Sequence, residues 1–341
     1  MKSLLMIIAA AVLAMSCENS RSDILEWPWQ EQDSEIQVPE QSDIWTDITS
    51  EFGTLPAYIT VKKSSSELQG KTAVAYVAVV DMNSAHWDIW SINDPEMDGT
   101  SDEFKAPSEV YEDGDWPIVV NAGFFYTSGG KNYSSSLAVR NSEVLAYNIN
   151  YASEDWVTIY NPTRAALLQS DKGTFDACWT YLSNQTGEHY MYPSPADNSW
   201  ESKPQDVPSL EYPEGGQIFA AQTAIGGGPV LVNDGKFVDS YVAELFNGNS
   251  GIAPDSSQPR TAVGVTADNK MILFVCEGRQ VTEGVAGLTT ADVANVLLDL
   301  GCVEAINLDG GGSSCMLING KETIRVSDGS QRRVGSTIMI K

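Results

Sequence analysis

The chain has 341 residues and a formal charge of −26, from 46 acidic and 20 basic residues. So acidic a surface excludes most nucleic-acid partners, whose phosphates require a basic face. Its two histidines, His86 and His189, lie outside every motif below, which leaves neither a serine–histidine triad nor a histidine-rich zinc site.

At the N-terminus, Lys2 precedes an apolar run from Leu4 to Met15. Charge and length mark a signal peptide, residues 1–16, rather than a membrane span. Leu13-Ala14-Met15-Ser16-Cys17 resembles a bacterial lipobox and predicts a lipid on Cys17. The expected location is the bacterial cell envelope, lipid-anchored, periplasmic or surface-exposed. Residues 17–53 read as a lipidated, acidic tether, with a short helix predicted over Asp43–Phe52. Residues 54–341 read as one domain, with no second linker or repeat, and the expected state is a monomer.

The next elements are mostly strands, predicted at Thr72–Val80, Ile118–Asn121, Ser136–Val139, Val157–Tyr160 and Ala220–Val232. Strands outnumber clear helices, which gives an α+β class with a mixed, largely antiparallel sheet packed against a few helices. Asp94 to Gly99 begins like a calcium loop, but Lys105 stands where a bidentate glutamate is required, so the segment reads as an acidic loop. The apolar run Trp116 to Val120 ends in Asn121-Ala122-Gly123-Phe124-Phe125. Asn121 at this strand end suits a sugar hydroxyl or the fixing of a neighbouring catalytic group. Gly123 and Phe124 join it as candidate ligand contacts, although the phenylalanines are as well explained as core.

Residues 178–217 form an aromatic, proline-rich insertion carrying Trp179, Tyr181, Tyr190, Tyr192, Trp200 and Tyr212. Its rings could stack on sugars at a pocket mouth or form an apolar cluster of their own. Gly226 to Gly228 would let backbone approach a ligand or another strand, which places Gly227 and Gly228 among the candidates beside a structural reading. Asp234-Gly235 is a hairpin turn. Pro259 to Thr266 and Lys270 to Arg279 read as a second hairpin, with Met271, Leu273, Val275 and Glu277 on one face and Ile272, Phe274 and Cys276 on the other. Arg260 opens one strand while Glu277 and Arg279 close its partner, so the three gather at one end.

Gly287 to Ser314 is the most informative stretch. Thr289 or Thr290 caps a helix with Asp292 near the capping-box position. Val293, Val296, Leu297 and Leu300 form its apolar face, and Gly301 ends it. A buried strand over Val303–Leu308 then delivers Asn307 and Asp309 to the loop Gly310-Gly311-Gly312-Ser313-Ser314. Consecutive glycine amides and two hydroxyls can form an anion-binding concavity beside the acid. Cys178, Cys276, Cys302 and Cys315 match no zinc spacing and read as buried free thiols, although export permits disulfides.

The ordered set NAGFF, IGGGPVLV, PRTAVGV, CEGR with GLTTADVANVLLDLGC, and NLDGGGSS resembles the phosphodiester glycosidase family over roughly Leu68 to Lys341. Ala122 departs from the glycine usual in the first motif, and residues 178–217 have no counterpart. The resemblance implies a hydrolase that cleaves the sugar C1–O–phosphate bond of a glycosyl-1-phosphodiester, releasing a sugar and a phosphate monoester, and the signal peptide makes the expected enzyme an exported one.

A phosphate monoester has a second pKa of about 6 and leaves without strong acid assistance. The site then needs a carboxylate and a positive or N–H-rich surround. Asp309 and Glu277 are the available carboxylates, with Asp309 preferred as base or nucleophile. Arg260, Arg279 and the Gly310–Gly312 amides would hold the phosphate, while Asn121, Asn307 and Ser313 orient the sugar. No spacing demands a cofactor, and calcium or magnesium beside Asp309 stays open. The partners implied are a carbohydrate or glycosyl-phosphate substrate and, through the lipid, a membrane. The alternative is a non-catalytic, cell-surface glycan-binding lipoprotein in which Asp309 only hydrogen-bonds a ligand.

Overall fold

The computed structural model describes residues 44–95, 99–248 and 250–341. The signal peptide, Cys17, most of the tether and the middle of the acidic loop fall outside the described residues.

Three sheets enclose one apolar core, and every strand pairing among the described residues is antiparallel. The first has eight strands. The hairpin Arg260–Thr266 and Lys270–Cys276 lies at its middle, flanked by Ala75–Asp81 and Cys302–Asn307. The second, with seven strands, carries Ala138–Arg140, Thr223–Gly226, Arg164–Gln169, Phe175–Leu182 and His189–Tyr192. The third has five strands and centres on Met316–Ile318, Ile118–Asn121 and Ser336–Ile340.

The two-face reading of the hairpin holds. Met271, Leu273 and Val275 join the core shared by the three sheets, while Ile272, Phe274 and Cys276 pack beneath the helix Thr290–Asp299. A sheet buried on both faces needs apolar residues at successive positions, and this strand supplies them. The helix carries the expected signals. Thr289 Oγ1 accepts from Asp292 N–H at 3.1 Å, Asp292 accepts from Thr289 N–H at 2.7 Å, and Val293, Val296 and Leu297 are buried. The helix ends as the chain enters Cys302–Asn307, so the apolar face fixes where Asp309 emerges.

Local side-chain bonds overrule two expected elements. In place of a helix over Asp43–Phe52 there is a strand, Trp45–Asp47, and a 3-10 turn, Thr49–Phe52. Asp47 Oδ1 takes both the N–H and the hydroxyl of Thr49, at 2.8 and 2.6 Å, and folds the backbone locally. The strand expected at Val157–Tyr160 is a loop, because Asp155 captures the N–H groups of Val157 and Thr158 at 2.8 and 2.7 Å. A third expected strand, Ala220–Val232, divides into Thr223–Gly226 in the second sheet and Val230–Asn233 in the first.

The aromatic insertion is largely sheet. Trp179, Tyr181, Tyr190 and Tyr192 sit on paired strands and are buried. These four rings are core and unavailable to stack on a sugar. Trp200 packs edge-on to Tyr160 at 5.0 Å between centroids. Cys178, Cys276, Cys302 and Cys315 are buried free thiols. Among the described residues, no helix is long and apolar enough to cross a membrane.

Candidate active site

Asp309 follows the strand Cys302–Asn307 and stands in a cavity of about 190 Å³. The wall is completed by Phe124, Asn307, Gly310 to Gly312, Gln258, Ile252 and Ala253, with Arg279 and Arg332. That volume is below the roughly 300–1,000 Å³ of pockets that enclose drug-sized ligands, and it suits one small group.

The backbone of Asp309 is fixed twice. Its N–H donates to Ala122 O at 2.8 Å, and its carbonyl accepts from Asn121 Nδ2 at 2.6 Å. Asn121 is fully buried, and its Oδ1 accepts from Thr261 Oγ1 at 2.8 Å and Cys315 N–H at 3.0 Å. Of its two expected roles, the structure shows the fixing one: Asn121 ties three motifs together and is not presented to the cavity. Burial pushes the Asp309 carboxyl up to about 6, against opposing pulls from the Ser313 hydroxyl, Arg332, the Gly310 N–H and Arg279. A carboxyl with a raised pKa beside two cations can in chemical terms exchange a proton or attack an electrophile.

Each loop glycine meets a different neighbour. A Cβ on Gly310 would stand 2.7 Å from Pro259 O, one on Gly311 2.7 Å from Arg279 Nη2, and one on Gly312 2.2 Å from Arg332 Nη2. The run therefore lets backbone and two guanidinium groups close on the acid. Its amides are less open than expected, because Gly311 N–H donates to Pro259 O at 2.8 Å and the Gly310 N–H serves Asp309. Ser313 is buried and bonds to Asp309, and Ser314 is buried with its Oγ unpartnered. Neither serine lines the cavity.

Arg260 and Glu277 occupy places other than those expected. Arg260 does share one end of the hairpin with Arg279, and it lines the cavity. Its guanidinium, however, is spent on four carbonyls: Leu288 at 3.0 Å, Ile252 at 2.9 Å, Ala253 at 2.7 Å and Ser256 at 2.8 Å. It braces the wall segment and has little capacity left for a phosphate. Glu277 is buried outside the cavity, with Oε1 accepting from Arg325 N–H at 3.0 Å. Arg260 pairs with Cys276, so Glu277, one residue on, faces the opposite side of the sheet. The carboxylate pair is not assembled.

The remaining candidates divide in the same way. Phe124 lines the cavity and tilts against Phe246, with ring centroids 5.6 Å apart. Asn307 donates through Nδ2 to Gly228 O and Leu308 O, both at 2.8 Å, and its buried Oδ1 has no partner. Gly123, Gly227 and Gly228 lie off the cavity in close packing. A Cβ on Gly123 would meet Ser136 Cβ at 2.5 Å, one on Gly227 Asn307 O at 2.3 Å, and one on Gly228 the Phe246 ring at 2.1 Å. The residues that sequence reasoning missed are Arg332 and Gln258, with Asp328 behind them. Gln258 Oε1 accepts from Arg279 Nε at 2.9 Å. The pair Arg332-Arg333, in a chain poor in arginine, was the available signal. Among the described residues, no three His, Cys, Asp or Glu side chains cluster in a way that could hold a metal ion.

The fold and site define an antiparallel β protein with a half-buried carboxylate and two arginines, Arg279 and Arg332, on the wall of one small cavity. The chain belongs to the phosphodiester glycosidase family, whose model matches residues 116–341. The match contains the whole candidate site and omits the strands Ile59–Ser64 and Ala75–Asp81 of the first sheet. The SPbeta prophage-derived uncharacterized protein YomE of Bacillus subtilis is 37% identical over 82 residues, which are 24% of this chain and 12% of that protein. A hypothetical protein from Synechocystis has a similar fold at 17% identity and a TM-score of 0.53, over 83% of this chain and 62% of that one. A Burkholderia pseudomallei protein described as exported is similar at 16% identity and a TM-score of 0.52, over 80% of this chain and 74% of that one. The catalytic domain of zebrafish N-acetylglucosamine-1-phosphodiester alpha-N-acetylglucosaminidase aligns at 20% identity over 89% of this chain and 86% of that one, with a TM-score of 0.45.

Proposed function

We propose that this protein is an exported hydrolase that cleaves the C1–O–phosphate bond of a glycosyl-1-phosphodiester. The observation that carries the reading is Asp309, a carboxylate beside the cavity-lining Arg279 and Arg332, in the family's matched region. The anomeric carbon would stand at Asp309, which acts on it directly or through a water. Either way the water oxygen ends on C1 and keeps one proton as the new sugar hydroxyl, the other proton is released to solvent (through the Asp309 carboxylate where that acts as the base), and the electron pair of the breaking bond stays with the phosphate oxygen. Departing negative charge is met by the arginines. Asn307 Oδ1 offers an acceptor to a sugar hydroxyl, since a buried unpartnered acceptor is costly until a ligand supplies a donor. The arginines supply the positive charge a cation would otherwise bring, so the reaction is expected to run without a metal. The leader and Cys17 lipid would hold the enzyme at the cell envelope.

Hydrolysis in ¹⁸O-water of a panel of α- and β-glycosyl-1-phosphodiesters tests the reading, with phosphorus NMR following the diester. Label in the sugar and none in the monoester is expected, unchanged by chelator. Label in the phosphate would make the protein a phosphodiesterase instead, and tight binding of a glycan without turnover would favour the glycan-binding alternative. Membrane fractionation of wild type and Cys17→Ala checks the anchor, which fails if the variant stays with the membrane.

A further inference from the structure

Asp328 lies between Arg279 and Arg332. Its Oδ2 accepts from Arg332 Nε at 3.0 Å and from Arg332 Nη2 at 2.5 Å, and its Oδ1 is 3.9 Å from Arg279 Nη1. Arg332 Nη1 also donates at 3.3 Å to Ser313 Oγ, the hydroxyl bonded to the Asp309 carboxylate. The loop glycines make room for this cluster: a Cβ on Gly312 would stand 2.2 Å from both Arg332 Nη2 and Asp328 Oδ2. All three charged side chains keep between 36% and 47% of their surface exposed. Ion pairs that open to water are held weakly, so a ligand anion can compete for the arginines.

We infer that Arg279 and Arg332 are the ligands of the substrate's phosphate, and that Asp328 offsets one of their two charges so that the subsite favours a phosphodiester over a phosphate monoester. A diester has one ionisable oxygen and carries one negative charge; a monoester carries about 1.5 to 2 near pH 7. Bare, the two arginines would favour the more highly charged species, which is the product. With Asp328 beside them, the extra negative charge of the monoester meets a like charge a few ångströms away. Asp328 thereby disfavours product retention. The assignment of substrate and product rests on the glycosidase reading above; the charge discrimination rests on the arginine–aspartate geometry alone.

Calorimetric titration of the full chain with methyl phosphate and dimethyl phosphate reads this directly, for wild type, Asp328→Asn and Arg332→Gln, each checked by its melting curve. Asp328→Asn is expected to shift the affinity ratio towards the monoester by about tenfold. Arg332→Gln should weaken both probes by about tenfold or more with the fold retained, and Arg332→Lys replaces it if the first variant unfolds. An unchanged ratio in Asp328→Asn, wild-type affinity in both Arg332 variants, or no binding of either probe to wild type would overturn the inference. A glycosyl-1-phosphodiester turnover assay on the same samples separates the two claims. Turnover with an unshifted ratio sinks this inference alone, and a shifted ratio without turnover sinks the glycosidase reading alone.

Discussion

Two glycine triplets, Gly226–Gly228 and Gly310–Gly312, lie near the Asn307 end of the strand Cys302–Asn307, the first packed on Asn307 and the second following it in the chain, and they serve different ends. The first carries the chain from one sheet to another, and a Cβ on Gly227 would stand 2.3 Å from Asn307 O, an immovable backbone atom. The second admits the guanidinium groups of Arg279 and Arg332 beside Asp309. A run of glycines therefore says only that something comes close. What comes close, backbone in one case and charged side-chain ends in the other, decides between packing and chemistry.

Substitutions can break or sharpen that contrast. The largest stability effect is expected from Gly227→Ala, about 3 kcal/mol or more by chemical denaturation, because neither partner of the clash can rotate away. A neutral result would move this triplet out of the packing class. Asn121→Ala leaves the Thr261 and Cys315 donors and the Asp309 carbonyl without their partner, for about 1–3 kcal/mol. It should also lower kcat by about 10- to 100-fold through misplaced Asp309, with KM little changed; a pure KM effect would mean that Asn121 touches substrate. Gly312→Ala meets first the side chains of Arg332 and Asp328 rather than backbone, so stability should fall less than for Gly227→Ala, by about 1–2 kcal/mol, while kcat/KM drops about tenfold.

Proton titration separates the regions as well. The Asp309 carboxyl is raised from 3.8 to about 6. Activity that requires the carboxylate should fall about tenfold per unit as pH drops below about 6. The sign for stability is opposite. A raised folded pKa means the folded state binds the proton more tightly, so the group favours folding below about pH 4 and loses that contribution as pH rises through 6. Asp309 thus weakens the fold at neutral pH.

Much of this was legible in the sequence where local signals and packing agree. The capping box at Thr289 and Asp292, the apolar face of its helix and the two-faced hairpin all follow from periodicity. So did the place of Asp309, because the helix and the strand after it leave one exit for the chain. Legibility failed where a single side chain redirected the backbone, as at Asp47 and Asp155. It failed again where one step of strand register decides a face: Arg260 and Glu277 share an end of the hairpin and lie on opposite sides of the sheet. Tyr190 and Tyr192 look like sugar platforms in the sequence because such aromatics give no sign that both faces of their strand, paired with the adjacent Phe175–Leu182, are covered. Arg332 and Asp328 come from a loop with no periodic signal, and only the fold brings them to the glycines.

The most direct test of the central claim is sugar release from a turned-over glycosyl-1-phosphodiester by wild type and Asp309→Asn, with thermal melting of both at pH 7. Loss of about 10³-fold or more in kcat is expected, together with a variant about 1–3 kcal/mol more stable, since each unit of pKa shift relieved is worth about 1.4 kcal/mol. An Asp309→Asn protein that keeps its activity would contradict the account and remove this carboxylate from the chemistry.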